Sequence, residues 1–419
     1  MKTSQLSENL KGSEIIKIAG EVKALQAQGE KIYNLTIGDF DSKIFPIPGE
    51  LKELIVKSYQ NDLTNYPAGN GEAALRKSVS RYFNQNLGLN YSENEILISG
   101  GARPLIYAVY QTILDLGDTV LYPVPSWNND AYTYLARNRE IVIETRPENK
   151  FMPTAAEIAP HIEKANLIAV CSPLNPTGTT FEKKELAKIC DLIVAENKRR
   201  NELKIKPLYL LYDQIYWQLT YGEAEHYNPV SLNPEMRDCT VFIDGISKAF
   251  ASTGVRVGWA IGPTDIINKM KDILSHVGAW APKPEQVATA EYLGKTQEIQ
   301  SYLKNIKSEL SYRLDEFYEG FRQLKSEGFP VDVIEPEAAL YLTVKFDLTG
   351  KGTSNGTKLN SVPEITSYLL NEAGVALVPF YAFGAPQSST WFRLSVGTTS
   401  KADIPEILSN LKKALAELF

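Results

Sequence analysis

Short apolar runs rich in β-branched and aromatic residues recur through the middle of the chain. They fall at 96–99 (ILIS), 119–122 (TVLY), 141–143 (IVI), 167–171 (LIAVC), 208–212 (LYLLY) and 239–243 (CTVFI). Stretches with helical periodicity lie between most of them, near 104–116, 128–137, 154–164 and 182–199. Several runs lack the alternation of a strand with one wet face, as expected of strands buried on both sides. Strands alternating with helices in this way predict an α/β fold with a mostly parallel sheet covered on both faces.

From about 284 the pattern changes. A long helical segment, 284–326, leads into VDVIEP and ALYLTVKF, then a helix near 362–373, the runs VALVP and WFRLSV, and a final helix at about 402–418. This reads as a compact α+β unit, with the boundary inside the long helix and an N-terminal helix, about 13–29, packed against it. The expected division is 1–48 as an N-terminal segment joining the smaller unit, 49–300 as the large domain and 301–419 as the small C-terminal domain. Segment 345–361 (KFDLTGKGTSNGTKLNS), rich in Gly, Ser, Thr and Lys, reads as a surface insertion.

Composition narrows the function. With 419 residues the chain exceeds the roughly 250–300 that one core supports, in keeping with two domains. At 43% apolar and 22% charged it has the balance of a globular enzyme. Lys and Arg number 44 against 50 Asp and Glu, a net charge of −6, and no basic tract stands out, so nucleic acid is not an expected partner. Cys171, Cys190 and Cys239 are too few for a disulfide framework and fit a reducing compartment as small buried hydrophobes. His161, His226 and His276 lie far apart without ligand spacing, which argues against a metal. The polar start MKTSQLSENLKGSE, and the lack of any apolar run approaching roughly 20 residues, lead to the expectation of a cytoplasmic protein with no membrane partner.

Candidate chemistry sits where the runs end, the edge at which α/β sheets bind ligands. ILISGGARP puts Gly100, Gly101 and Ala102 between a strand and a helix with Pro104 in its first turn. Small residues there admit an anion to free helix-terminal amides, though plain turn chemistry looks the same. In CSPLNPTG, Asn175 precedes a Pro-Thr-Gly turn and reads equally as a turn residue. In LYLLYDQIYW, Asp213 ends an apolar strand with Tyr216 three residues on. That carboxylate either caps a helix or needs a buried partner. In VFIDGISKAFASTGVRVGWAIG, Lys248 follows a buried-looking strand among small residues, with Arg256 eight residues further. An enclosed lysine loses its proton readily enough to form a Schiff base, and an arginine beside it clamps an anion.

In this order, the Asn-Pro-x-Gly, Asp-x-x-Tyr and Ser-Lys…Arg blocks resemble those of the class I/II aminotransferases. This is the aspartate aminotransferase family of fold-type I enzymes that depend on pyridoxal 5′-phosphate (PLP). The resemblance runs from about Ser13 to Gly397. It implies a large PLP-binding domain on a mostly parallel seven-stranded sheet between helices. The implied reaction is a ping-pong exchange of an amino group between an L-amino acid and a 2-oxo acid. By the same resemblance, Lys248 would hold the cofactor as a Schiff base and move the substrate's α-proton. Asp213 would pair with the pyridine nitrogen, and Tyr216 and Asn175 would hydrogen-bond the ring oxygen O3′. Trp127 would stack on the ring, with a place in the core as its other reading. Gly101, Ala102, Arg103, Ser247 and Arg256 would hold the phosphate. Tyr66 would reach the phosphate of a neighbouring subunit, so that a homodimer completes each site. Arg393 would grip the substrate α-carboxylate, and Gly38, Asn175, Phe383 and Gly384 would belong to the same pocket.

The chain also departs from that pattern. Ser252 stands where the family has an apolar residue. Ala281 and Pro282 stand near the place of a Ser or Thr that contacts the partner's phosphate, so that role is not carried over; Trp280 and Lys283 become candidates for shaping the pocket. Arg103 reads either as a partner for the distal carboxylate of aspartate or glutamate, or as added charge beside the phosphate. Trp127, Tyr66 and Phe383 would equally suit an aromatic substrate. The same apparatus would serve another PLP reaction, such as C–S β-elimination or decarboxylation. A PLP-sensing regulator is a weaker alternative, since only about a dozen residues precede the first family-like helix, where such proteins carry a DNA-binding domain.

Overall fold

The computed structural model describes residues 3–353 and 356–419. Its central sheet has seven strands, β1 (Ile96–Ser99), β2 (Thr119–Val124), β3 (Arg139–Glu144), β4 (Leu167–Cys171), β5 (Tyr209–Asp213), β6 (Thr240–Gly245) and β7 (Gly258–Ile261). Their order is β1-β7-β6-β5-β4-β2-β3. Neighbours are parallel except β7, which runs antiparallel to both β1 and β6. The expected α/β class therefore holds, with β7 as a strand that the apolar runs did not announce.

Burial on both faces explains the missing alternation. Along β4, Ile168 and Val170 enter one core while Leu167 and Ala169 enter another; β5 does the same with Leu210 and Tyr212 against Leu211. Helices Ala73–Leu87 and Lys183–Leu203 cover the first face through Val79, Phe83, Ile189 and Ile193. Ala102–Ile113 and Thr264–Val277 cover the second through Val109, Ile113, Met270 and Leu274.

The expected long helix is two, Lys283–Tyr292 and Thr296–Ser326, parted by Leu293, Gly294 and Lys295. Ile299 of the second belongs to the large-sheet core, whereas Ile306, Leu310, Leu314, Phe317 and Phe321 belong to a separate one. That separate core holds a four-stranded antiparallel sheet of β8 (Val331–Val333), β9 (Tyr341–Phe346), β10 (Val378–Pro379) and β11 (Trp391–Ser395), ordered β10-β11-β9-β8. Helices Val362–Glu372 and Ile404–Ala416 complete it. Helix Glu14–Ala27 lays Ile18 and Val22 onto Leu370 and Ala376. The segment expected as a surface insertion is folded in more closely than its composition suggests. Residues 345–346 finish β9, Leu348, Thr353 and Leu359 are buried, and Gly352 exchanges backbone hydrogen bonds of 2.9 and 3.1 Å with Phe419. Ser354 and Asn355 of that segment lie outside the described residues. Among the described residues, no helix is long and apolar enough to cross a membrane.

Candidate active site

Strands β1, β4, β5 and β6 end on one edge of the sheet, and each delivers a sequence-predicted residue there. Directly after β6, the short helix Ile246–Ala249 carries Lys248. Its Nζ donates to the Gly38 carbonyl at 2.6 Å and lies 5.7 Å from the centre of the Tyr216 ring. Burial pushes this amine down to about 8; Asp39 opposes that shift, while Arg393, Arg103 and Arg256 reinforce it. Such a lysine is far more available as a free amine than a surface lysine.

Asp213 closes β5. Burial lifts its carboxyl to about 6, against the opposing pull of the Ile215 N–H, which donates to Oδ1 at 3.1 Å, and of Lys248. Three residues on, the buried Tyr216 hydroxyl shares a 2.7 Å hydrogen bond with Tyr341 of β9.

After β1, Gly101 takes φ 94°, a left-handed value that suits glycine. A Cβ there would collide with the Arg256 guanidinium, which itself donates to the carbonyls of Gly100 and Thr253 at 2.9 and 2.7 Å. Gly101 caps helix Ala102–Ile113, whose second residue, Arg103, lies 5.1 Å from the Trp127 ring centre. Ser247 is buried next to Lys248. Trp127 in turn packs 6.3 Å from Phe383, and the Phe383 carbonyl accepts from Ser126 N at 2.9 Å.

Arg393 comes from the other sheet, on β11. It is only 2% exposed. Nη1 donates to Asn175 Oδ1 at 2.9 Å and Nη2 to the Thr36 carbonyl at 2.6 Å, while the buried Nε has no hydrogen-bond partner among the described residues. Its guanidinium sits 4.7 Å from the Tyr341 ring centre and 4.9 Å from that of Phe383. Among the described residues no carboxylate pairs with it, and burial lowers its pKa. A buried cation without an anion is costly, so this is a place that favours a carboxylate.

The structure thus gathers Lys248, Tyr216, Asn175, Arg393 and Gly38 into one hydrogen-bonded and ring-packed cluster, which Asp213 joins through its charge on Lys248, with Gly101, Arg103, Arg256, Trp127 and Phe383 along its margin. Tyr66 stands outside that network, exposed, with its ring edge-on to Trp280 at 5.4 Å. Lys283 donates to Asn65 at 2.9 Å, and the Ala279 carbonyl accepts from Gly100 N, so this loop backs the Gly100–Gly101 turn. Ser252 bonds the carbonyl of Phe250.

Three residues absent from the sequence reading belong to the site. Asp39 accepts from Thr253 Oγ1 at 2.7 Å and draws on the Lys248 charge. Gly258 of β7 lets the backbone of Gly101 and Ala102 approach, since a Cβ on it would lie 2.7 and 2.8 Å from their atoms. Tyr341 touches both Tyr216 and Arg393. Asp39 stands next to Gly38 in NLTIGDFD, and Gly258 in a string already singled out, so adjacency could have found them. Nothing in ALYLTVKF marks Tyr341.

Comparison with known proteins agrees with this arrangement. The family described as aminotransferase class I and II matches residues 30–411. An aspartate aminotransferase of a Bacillus species (strain YM-2) is 31% identical over 395 residues, 94% of each chain. An asparagine–oxo-acid transaminase of Streptococcus mutans serotype c is 30% identical over 421 residues, 98% of this chain and all of its own. The crystal structure of the aspartate aminotransferase from Rhizobium meliloti superposes with a TM-score of 0.91 at 26% identity, covering all of both chains. The anion-poised lysine edge and a family match spanning nearly the whole sequence lead to one assignment: the chain belongs to the class I and II aminotransferases.

Proposed function

We propose that this aminotransferase works with PLP held by Lys248 and prefers amino donors with an acidic side chain. The observation that carries the reading is the buried Lys248 amine, shifted down to about 8, beside Asp213 and within the field of three arginines. The residues present fit the cofactor. The bare Cα of Gly101 lets the Arg256 guanidinium lie against the start of helix Ala102–Ile113, which sets a cation beside free N-terminal amides that suit a phosphate. Asp213 is a buried carboxyl that the Ile215 N–H and Lys248 only partly compensate, and a protonated pyridine nitrogen would supply the missing positive partner. Arg393 keeps a buried, unpaired Nε.

When bound, PLP supplies an electron-withdrawing ring that stabilises negative charge on the substrate's Cα. The protein's own groups do the rest. Lys248 would take and return the α-proton through Nζ. Asp213 would pair with the ring nitrogen and hold a proton there. Asn175 and Tyr216 would donate to the ring oxygen O3′, and Trp127 would be the aromatic neighbour of the ring. Ser247, Arg256, Arg103 and the amides of Gly101 and Ala102 would hold the phosphate. Arg393 receives the α-carboxylate through its planar fork, which lysine lacks. Gly38 and Phe383 border the same space.

Arg103 is the residue assigned to the distal carboxylate, and the names of the two relatives, acting on aspartate and asparagine, favour a four-carbon donor. The reading extends to a cytoplasmic homodimer in which Tyr66, exposed here, serves the neighbouring phosphate, and to domains at 49–300 and 301–419 with 1–48 joining the smaller one. It is tested by recording the visible spectrum of the PLP-loaded protein while single amino acids are added without an oxo acid. Bleaching by aspartate or glutamate, reversed by a 2-oxo acid, is expected. Bleaching only by aromatic or neutral donors would remove Arg103 from its role, and release of pyruvate and ammonia without an acceptor would replace transamination by elimination.

A further inference from the structure

Tyr341 stands where the two sheets meet over the site. It is 1% exposed, and its hydroxyl shares a 2.7 Å hydrogen bond with Tyr216. The same hydroxyl lies 2.7 Å from where a Cβ on Gly38 would sit, so it closes off that glycine's side. Its ring faces the Arg393 guanidinium at 4.7 Å. One side chain therefore touches the Gly38 loop, the Tyr216 phenol and the Arg393 clamp.

We propose that Tyr341 is a positioning residue whose hydroxyl donates to the Tyr216 oxygen, aiming the Tyr216 phenol at the cofactor's ring oxygen and strengthening it as a donor, while its ring seats Arg393. The direction of the hydrogen bond follows from charge. Among the described residues, the titratable and charged groups that act on Tyr341 include Arg393, Tyr216, Cys171 and Asp39, and Lys248 lies 5.7 Å from the centre of the Tyr216 ring. Arg393 over the ring makes the Tyr341 hydroxyl the better donor, and Tyr216 must keep its own proton free for O3′. A phenol that accepts one hydrogen bond donates a second more strongly, because the chain polarises cooperatively. The inference rests on the PLP reading above.

The test is a spectroscopic pH titration of the PLP-loaded protein, reading the midpoint at which the bound cofactor's visible band changes. A donor to O3′ stabilises the ring's anionic oxygen and lowers that midpoint, so loss of the donor raises it. Tyr216→Phe is expected to raise the midpoint by about 1–2 pH units, the worth of one hydrogen bond to a charged group. Tyr341→Phe, which keeps the ring under Arg393 and loses only the hydroxyl, is expected to raise it by a fraction of that, about 0.1–0.6 unit. In the double variant the Tyr341 substitution is expected to add nothing, because its effect passes through Tyr216. An unchanged midpoint in Tyr341→Phe, or a shift of equal size in the Tyr216→Phe background, would overturn the proposal. Failure of the unsubstituted protein to develop a band would overturn the cofactor reading instead, and this inference with it.

Discussion

Asp213 shows how the site works against the stability of the chain that builds it. Its carboxyl is raised from 3.8 to about 6 by burial, so the native state holds a proton that the unfolded chain releases between these values. By linkage, its contribution to stability falls as pH rises through that window and stays lost above it. At pH 7 this amounts to as much as ~3 kcal/mol. Asp213→Asn should therefore raise the denaturation midpoint of cofactor-free protein at pH 7 while weakening PLP binding. A lower midpoint would contradict the account of Asp213 as an uncompensated charge. Arg393→Lys replaces two aligned donors with a point charge. The expected loss in kcat/KM is ~10–100-fold, carried mainly by KM, and steady-state kinetics with a single donor would show it. Both residues were reached through short strings, LYLLYDQIYW and WFRLSV, whose order along the chain resembles a known family, rather than through either string alone. Tyr341 was not. Its partners Tyr216 and Arg393 lie 125 and 52 positions away in sequence, and the apolar run around it looks like any buried strand.

Among the elements, β7 repays most study. It is four residues long, contains a glycine, and turns back antiparallel, so no long β-branched run announces it. Yet it backs the Gly101–Ala102 turn, and its glycine is what lets the turn come close. Gly258→Ala puts a methyl against backbone atoms that have little freedom to shift. A loss of about 1–3 kcal/mol in thermal or chemical denaturation is expected, with weaker PLP binding because the turn moves. A variant of full stability and affinity would show that the close approach is dispensable. The expected single helix failed for a related reason: periodicity ran on across Leu293, Gly294 and Lys295, where the backbone does not.

At the scale of the whole molecule, the Asn175 turn is stitched to the smaller sheet. Thr343 Oγ1 donates to the Thr177 carbonyl at 2.9 Å, Ala338 N to the Gly178 carbonyl at 2.8 Å, and Glu337 accepts from Thr180 N at 2.9 Å while pairing with Lys150. These bonds join segments over 150 residues apart, which local patterning does not register. Glu337→Gln should thus weaken the seating of Asn175 and raise KM more than it lowers kcat; unaltered kinetics would place the stitching outside the catalytic cycle. For the expected homodimer, sedimentation should give twice the chain mass at the concentrations where activity is full. A fully active monomer would remove Tyr66 from the site.

The most direct measurement is to load the protein with PLP, reduce it with borohydride, digest it and map the modified residue by mass spectrometry. The pyridoxyl phosphate mass on the peptide carrying Lys248, and its loss in Lys248→Ala, is the expected result. Label on any other lysine, or none at all, would contradict the assignment of Lys248.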